Sequence, residues 1–506
     1  MEIQKLLSRK IIAFITLIVT IMPIIALPTM IEGISYVKVF VALTCVMPLI
    51  PFMLKKIIEI KDGIVIWILT LSLLLIVVFS VLLIQNDYRG VFGAPGRNNG
   101  TLSILLYLCF TIFGIYVYIK NAISIILHGI IVSSTVTCLI SNLYLIFPGF
   151  NSFPSLDFSS DQFRDNTDNI APLVSMALTA SLILYWKSKN IVYLILQIPT
   201  VYFVIKWQLL QPLVTFIPSI FLIVLRERLT KSKLFILTPL LILAGYISSI
   251  KVLPLTPLVN DSSVRERLEM VTYIKEMSNH LSLLPIHIDA LSDFSSSFVA
   301  LTPRAYLNDF HNVYLQLIFS FGLITGIAII ALLIAPFLLS TQKFDKTQFI
   351  FPIYFNFFLG LFFAIASPNF MYFGFIFIGY LLAGSLTNRG VQPQSIKGRV
   401  GIYSTLYLAV VLALALQVHD FAKRMDISST SRAYSPDFSN DQYFESLVDK
   451  VSGIEDAEYK FQVARNFYAV GKCAYGNIVF EQLLAVNAHE VRNVQLAGLK
   501  KACEPL

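Results

Sequence analysis

The chain has 506 residues, 56% of them hydrophobic and only 13% charged, and its mean hydropathy is +0.75. Soluble globular chains carry about 25% charged residues, so the composition excludes a soluble domain, a disordered chain and a coiled coil, and the uninterrupted apolar runs exclude a β-barrel. The net charge of +8 is no nucleic-acid signal, because Lys and Arg sit mostly in short loops between apolar runs.

The remaining class is an all-α, polytopic integral membrane protein. Thirteen apolar runs of spanning length are predicted, near 11–30, 36–54, 63–85, 101–119, 122–146, 168–186, 190–205, 211–225, 234–252, 313–338, 349–366, 370–386 and 400–418. The seventh and eighth are short, so about 12–13 transmembrane helices are expected. With the N-terminus in the cytoplasm, every cytoplasmic segment carries at least one Lys or Arg, as the positive-inside rule requires. Lys5, Arg9, Lys55, Lys120, Lys187, Arg226, Lys343 and Arg389 are among them. The first run lacks a small-residue cleavage site and reads as a span rather than a signal peptide. An odd number of spans places the tail, 419–506, outside.

Positive charge in the outer segments opposes that bias. Arg89 and Arg97 fall in the outer loop 86–100, Arg164 just before the sixth span, and Lys206 at the outer end of the seventh. Arg265, Arg267, Lys275 and Arg304 fall in the loop 253–312. One use for such charge is binding an anionic headgroup, for which the planar Arg fork is suited; the alternative is a solvated or snorkelling side chain. The loop 253–312 is far longer than the connectors of about 4–6 residues that are usual. Its His280, His287, Asp289 and Asp293 match no standard ligand spacing, so neither a metal nor another cofactor is expected. Ionisable residues deep within spans are nearly absent, with His128 the main exception.

The large loop ends in Asn308-Asp309-Phe310-His311-Asn312-Val313-Tyr314-Leu315-Gln316 and runs straight into the tenth span. A neutral imidazole at that helix start can accept a proton from a hydroxyl; equally, it can cap the helix or touch a headgroup.

In the tail, 419–445 is a polar linker and 446–506 a small helical domain. Ala464, Phe467, Gly471, Gly476 and Phe480 fall at the spacing of a single degenerate tetratricopeptide (TPR) repeat of roughly 34 residues, with an adjoining helix at 489–503; a plain helical hairpin is the alternative. Cys45, Cys109 and Cys138 lie in spans and read as small apolar residues. Cys473 and Cys503 both fall in the tail, where a disulfide between them is chemically permitted.

The segment His311-Asn312-x-Tyr314-Leu315-Gln316, followed by Phe321-Gly322-Leu323-Ile324-x-Gly326, resembles the signature of the O-antigen ligase and Wzy-type polymerase superfamily, which includes the PglL-type O-oligosaccharyltransferases. Three further segments resemble that family in the same order: Gly93 to Gly100 with Arg97, Asn166 to Asn169, and Arg267-Leu268-Glu269-Met270 with Tyr273. Two positions depart from it. Val271 stands where the family's helix carries Trp, and Lys206 to Pro212 stands where relatives have a Ser-Arg-Gly element, leaving Lys206 as a point charge in place of an Arg fork.

The resemblance implies a 1–418 membrane glycosyltransferase domain in the cytoplasmic (inner) membrane of a bacterium, with the tail domain extracytoplasmic. The implied donor is an undecaprenyl-diphosphate-linked glycan, and the acceptor is a hydroxyl of a glycan, of a lipid A core or of a protein. His311 would be the base and Arg267 the diphosphate ligand. Arg97, Arg164, Lys206, Arg265, Asn312 and Gln316 would contact substrate. Two readings compete with it. One is a flippase or transporter of the same lipid-linked glycans; the other is an inactive scaffold of the same fold.

Overall fold

The computed structural model describes residues 2–24, 35–58, 101–146, 167–207, 209–225, 312–339, 349–362, 368–387, 441–453 and 471–486, together with a few positions between 422 and 500 and Leu240. The described residues are helical, with no strand among them. In chain order the helices are α1 (Glu2–Ile21), α2 (Ser35–Val46), α3 (Ile50–Ile58), α4 (Thr101–Ile119), α5 (Ile123–Ile146), α6 (Thr167–Ser188), α7 (Val192–Ile195), α8 (Ile198–Lys206), α9 (Leu210–Leu225), α10 (Val313–Leu339), α11 (Phe351–Gly360), α12 (Pro368–Thr387), α13 (Asp441–Ser452) and α14 (Cys473–Val486). Short 3-10 turns, Met22–Ile24 and Met47–Leu49, follow α1 and α2.

Among the described residues, four segments are long and apolar enough to cross a membrane: Val37–Leu54, Leu102–Ile119, Ile123–Leu143 and Ile170–Ser188. Helices fall on every predicted span within the described residues. The segments 63–85 and 400–418, and all of 234–252 but Leu240, lie outside them.

Among the described residues, the predicted span 36–54 is divided by the 3-10 turn Met47–Leu49 into α2 and α3, and three further predicted spans are not single straight helices. The run 190–205 is divided at Gln197 (φ −91°, ψ 0°) into α7 and α8. Pro199 lacks the N–H that a continuous helix would use there. Carbonyls on either side of the break also accept from α5: Thr135 Oγ1 donates to the Leu196 carbonyl at 2.9 Å, and Asn142 Nδ2 to the Pro199 carbonyl at 3.0 Å. In the described part of the run 349–366, residues 349–362, the helix α11 ends at a turn at Leu361.

The third is α10, which breaks at Gly322 (φ 76°, ψ 167°). Past the break, a Cβ on Gly326 would stand 2.6 Å from the Cα of Ile318. Residues eight apart in a straight helix are separated by about 12 Å, so the two halves of α10 fold back on each other.

The main core gathers α1 to α6 and α9 to α12 around large aromatic side chains. Tyr116, Tyr354, Tyr372, Phe110, Phe113 and Phe373 are fully buried in it. α4 and α12 are in backbone contact, since a Cβ on Gly114 or Gly379 would collide with the backbone of Ile376 or Thr111. Small residues permit such close approach where lipid removes the hydrophobic drive between helices. The tail has its own core of Phe444, Leu447, Val451, Ala464, Phe467, Phe480 and Leu483. Gly471, at φ 75°, turns the chain into α14, and the ring of Tyr468 packs on Gly476.

Candidate functional site

The C-terminal end of α11 is where the described motif segments meet. A helix end leaves carbonyls without partners, and two neighbouring helices, α10 and α9, supply them. The Tyr314 hydroxyl donates to the Phe358 carbonyl at 2.8 Å. The Val313 N–H donates to the Leu361 carbonyl at 2.9 Å. From α9, Gln211 Nε2 donates to the Gly360 carbonyl at 3.2 Å. The start of α6 closes the third side, where Pro172 Cβ lies 3.4 Å from the position of a Cβ on Gly360. Starts of α6, α9 and α10 thus converge on one helix end, although the three segments are far apart in sequence.

Asn312 forms the start of α10. Its side-chain carbonyl accepts the N–H groups of Tyr314 at 3.1 Å and Leu315 at 3.2 Å. This is an N-cap, using the residue type most suited to it. One turn on, Gln316 is buried, and its N–H donates to the Asn312 carbonyl at 3.0 Å. The Tyr314 ring lies against Phe358 and Phe362, with centroids at 5.4 and 4.5 Å. In the signature as it stands in this chain, Asn312 caps, Tyr314 ties α10 to α11, Gly322 breaks the helix and Gly326 lets the halves touch.

One level along α11, Asn356 is wholly buried and anchors a polar cluster with α6. Its Nδ2 donates to Thr179 Oγ1 at 2.9 Å and to the Ser175 carbonyl at 3.2 Å, while Ser175 Oγ donates to Asn356 Oδ1. The Oε1 of Gln211 is buried without a hydrogen-bond partner among the described residues. The buried polar surface therefore lies on the face shared by α6, α9 and α11, just inside the convergence point.

Of the remaining predicted site residues, Lys206 is exposed at the last position of α8. His311, Arg267, Arg97, Arg164 and Arg265 lie outside the described residues. His128 is exposed on α5: its Nδ1 faces the Ser124 carbonyl at 2.6 Å and its Nε2 the Tyr193 hydroxyl at 3.0 Å. A carbonyl only accepts, so Nδ1 carries the proton and Nε2 accepts from Tyr193. Cys473 is disulfide-bonded, and its expected partner Cys503 lies outside the described residues. Cys45, Cys109 and Cys138 are free thiols.

Sequence reasoning passed over Gln211, Asn356 and Lys38. Lys38 is 3% exposed inside the second span and donates to Asn369 Oδ1 at 2.7 Å and to the Pro23 carbonyl at 3.3 Å. It is a further ionisable residue within a predicted span, and a lysine inside the apolar run 36–54 is its visible signal. Asn356, a lone amide in a run of Phe, Tyr, Leu and Ile, was marked in the same way.

No family model matches the chain, and no curated protein or solved structure matches it either.

Proposed function

We propose that the protein transfers a glycan from a polyprenyl-diphosphate carrier to an acceptor hydroxyl on the outer face of a bacterial cytoplasmic membrane. The observation that carries the reading is the convergence at α11. Two segments that resemble the ligase and polymerase superfamily in sequence, the starts of α6 and α10, border one helix end, together with the start of α9, where the chain departs from that family. His311 immediately precedes the Asn312 cap in sequence.

In this reading the acceptor oxygen attacks the anomeric carbon as the bond to the diphosphate oxygen breaks. The leaving diphosphate keeps the electron pair, with Arg267 holding its charge and Arg97, Arg164, Lys206 and Arg265 in support. His311 takes the hydroxyl proton. Attack opposite the leaving group inverts the anomeric centre, and no metal ion enters the balance. Asn312 fixes the helix start that follows His311 in the chain, and the tail domain handles acceptor or partner outside the membrane.

The test compares a deletion strain with a His311→Ala strain by running surface glycans on a gel. Loss of the long-chain ladder in both, with single units still on their acceptor, identifies a polymerase. Loss of all glycan from the acceptor in both, with lipid-linked polymer accumulating, identifies a ligase or protein transferase. A His311→Ala strain indistinguishable from wild type removes the catalytic assignment.

A second reading, a carrier of lipid-linked glycans, draws on the break between α7 and α8. Carriers build their substrate sites from discontinuous helices. Under that reading the deletion leaves undecorated lipid-linked glycan on the cytoplasmic leaflet, whereas a transferase defect leaves it on the outer one.

A further inference from the structure

Three lysines that the transferase reading leaves without a task are gathered at one end of the helices. Lys120 lies in the turn between α4 and α5, and Lys187 and Lys189 lie at the close of α6. α5 and the α7–α8 pair run in the same direction, because His128 meets Tyr193 and, further along both, Ser134 meets Thr200. Their starts therefore share an end with the last turn of α6. Each ammonium stands over an aromatic ring: Lys120 is 5.6 Å from the centroid of Tyr116, Lys187 5.6 Å from Phe349 and Lys189 5.1 Å from Trp186. None of residues 101–156 or 169–226 is Asp or Glu, so the helices that carry these lysines hold no counter-charge of their own.

The corner between α6 and α7 is fixed by its own backbone. Lys189 sits in the left-handed region at φ 58°, and its N–H closes α6 on the Tyr185 carbonyl at 2.7 Å. Glycine is the usual residue at such a helix end, since a side chain costs stability there. The Asn190 N–H donates to Ser188 Oγ at 3.2 Å, and Asn190 Oδ1 accepts the Val192 N–H at 3.0 Å. Trp186, Lys187 and Lys189 are all exposed on this corner. Ring and charge are therefore presented to a ligand with little backbone left to order on binding.

From the corner onward the exposed face turns apolar. Ile191, Ile195, Ile198, Tyr202 and Ile205, spaced by four, three, four and three, form one exposed stripe that continues across the break at Gln197. An apolar surface of this kind is one that acyl chains cover. At its head stands a polar pair: His128 is exposed, Tyr193 is half-buried, and the two are joined at 3.0 Å. With the phenol proton given to His128 Nε2, the Tyr193 oxygen keeps its lone pairs for a further donor. Cations, an acceptor oxygen and an apolar stripe thus follow one another along residues 186–205. Phosphate, hydroxyl-bearing headgroup and acyl chain are the matching parts of a phospholipid.

We infer that the α6–α7 corner and the α7–α8 stripe form a binding site for an anionic glycerophospholipid of the phosphatidylglycerol type. Lys187 and Lys189 take the phosphate as point charges, Tyr193 accepts from a headgroup hydroxyl, and an acyl chain lies along the stripe. The inference needs only that these helices lie in a membrane and does not rest on the transferase reading.

The experiment uses the full-length chain carrying Trp67→Phe and Trp207→Phe, which leaves Trp186 at the corner as its only tryptophan. It is reconstituted in phosphatidylcholine vesicles, and acyl-brominated phosphatidylglycerol or phosphatidylcholine is added at equal mole fraction. Brominated phosphatidylglycerol is expected to quench Trp186 with a preference of about fivefold or more. Lys189→Gln is expected to cut that preference about fivefold, and adding Lys187→Gln to abolish it. Lys10→Gln, at an exposed position on α1, is expected to leave it unchanged. No preference at the start, a preference that survives loss of both lysines, or an equal fall in Lys10→Gln overturns the proposal. Quenching by neither lipid means that protein covers this face, and it overturns the proposal too. Where the tryptophan background does not fold, native mass spectrometry of the chain with all its tryptophans gives the second reading. Phosphatidylglycerol is expected to stay bound through delipidation and to be lost in the double lysine variant; equal retention overturns the site.

Discussion

Gln211 and Gly360, 149 residues apart in sequence, are joined by a hydrogen bond of 3.2 Å from the side-chain nitrogen of one to the carbonyl of the other. Two residues earlier, the Phe358 carbonyl takes the Tyr314 hydroxyl. Both bonds satisfy carbonyls at the end of α11, so removing either strands a buried acceptor. Tyr314→Phe is expected to lower stability by about 1–3 kcal/mol, read as the unfolding midpoint in detergent. Gln211→Leu is expected to cost less, because it also removes an amide oxygen already without a partner among the described residues. The acceptors are near neighbours, so the double variant departs from the sum of the single ones. Strict additivity would mean that the two ties act independently.

Gly322 and Gly326 perform different tasks, and their variants separate them. At Gly322 the backbone lies at φ 76°, ψ 167°, a region open essentially to glycine, where another residue costs about 1–3 kcal/mol. At Gly326 the obstacle is contact with Ile318 and the Leu317 carbonyl, at 2.6 and 2.9 Å from an added Cβ. Gly322→Ala is therefore expected to destabilise by strain alone, while Gly326→Val forces the halves of α10 apart and lowers membrane yield further. Paired cysteines at 318 and 326 should cross-link with a short reagent. Failure to do so, with both residues reactive, would indicate a straight tenth helix.

Where the helices lie was legible in the sequence; how they break and what they touch was legible only in part. Apolar runs locate helices because lipid-facing segments must satisfy their own backbone, and α4, α5, α6 and α12 begin within a few residues of the predicted spans. Pro199 signalled the division of the seventh span, but Gly322 gave no comparable sign, since a glycine in an apolar run reads as helix interior. Asn312 was chosen as a substrate contact, and its side-chain oxygen is occupied by α10. Asn followed by an apolar run is also a capping pattern, so that alternative was available from local sequence. Gln211, by contrast, is defined by a partner that only the tertiary fold supplies.

The Asn356 cluster tests whether buried polar groups between α6 and α11 act as a unit. Interhelical bonds in lipid are worth on average about 0.6 kcal/mol, yet Asn356 makes bonds to both Ser175 and Thr179. Asn356→Leu leaves the Thr179 hydroxyl with its own-helix bond to the Ser175 carbonyl at 2.9 Å, so the expected loss is modest, about 1 kcal/mol. Ser175→Ala removes only one donor to Asn356 and is expected to cost less. A loss several times larger for Asn356→Leu, with transfer abolished and fold retained, would place the amide in substrate handling rather than helix association.

The tail domain offers a test independent of the membrane. Cys473 is disulfide-bonded while Cys45, Cys109 and Cys138 are free, so alkylation of the denatured, unreduced protein should label those three thiols and spare Cys473. Reduction is expected to lower tail stability by about 2–4 kcal/mol. The same small core is sensitive to alkali. Burial raises the Tyr468 phenol above its ordinary range and the neighbouring Glu481 carboxylate adds to the rise, while its hydroxyl donates to Asn477 Oδ1 at 2.9 Å. A group whose folded pKa is raised contributes stability that is present below its unfolded pKa and is lost as pH climbs through the folded value. The tail should therefore hold its stability up to the usual tyrosine range near pH 10 and lose it above. Tyr468→Phe should flatten that alkaline fall. An alkaline transition identical in Tyr468→Phe would show that the loss comes from groups other than this phenol.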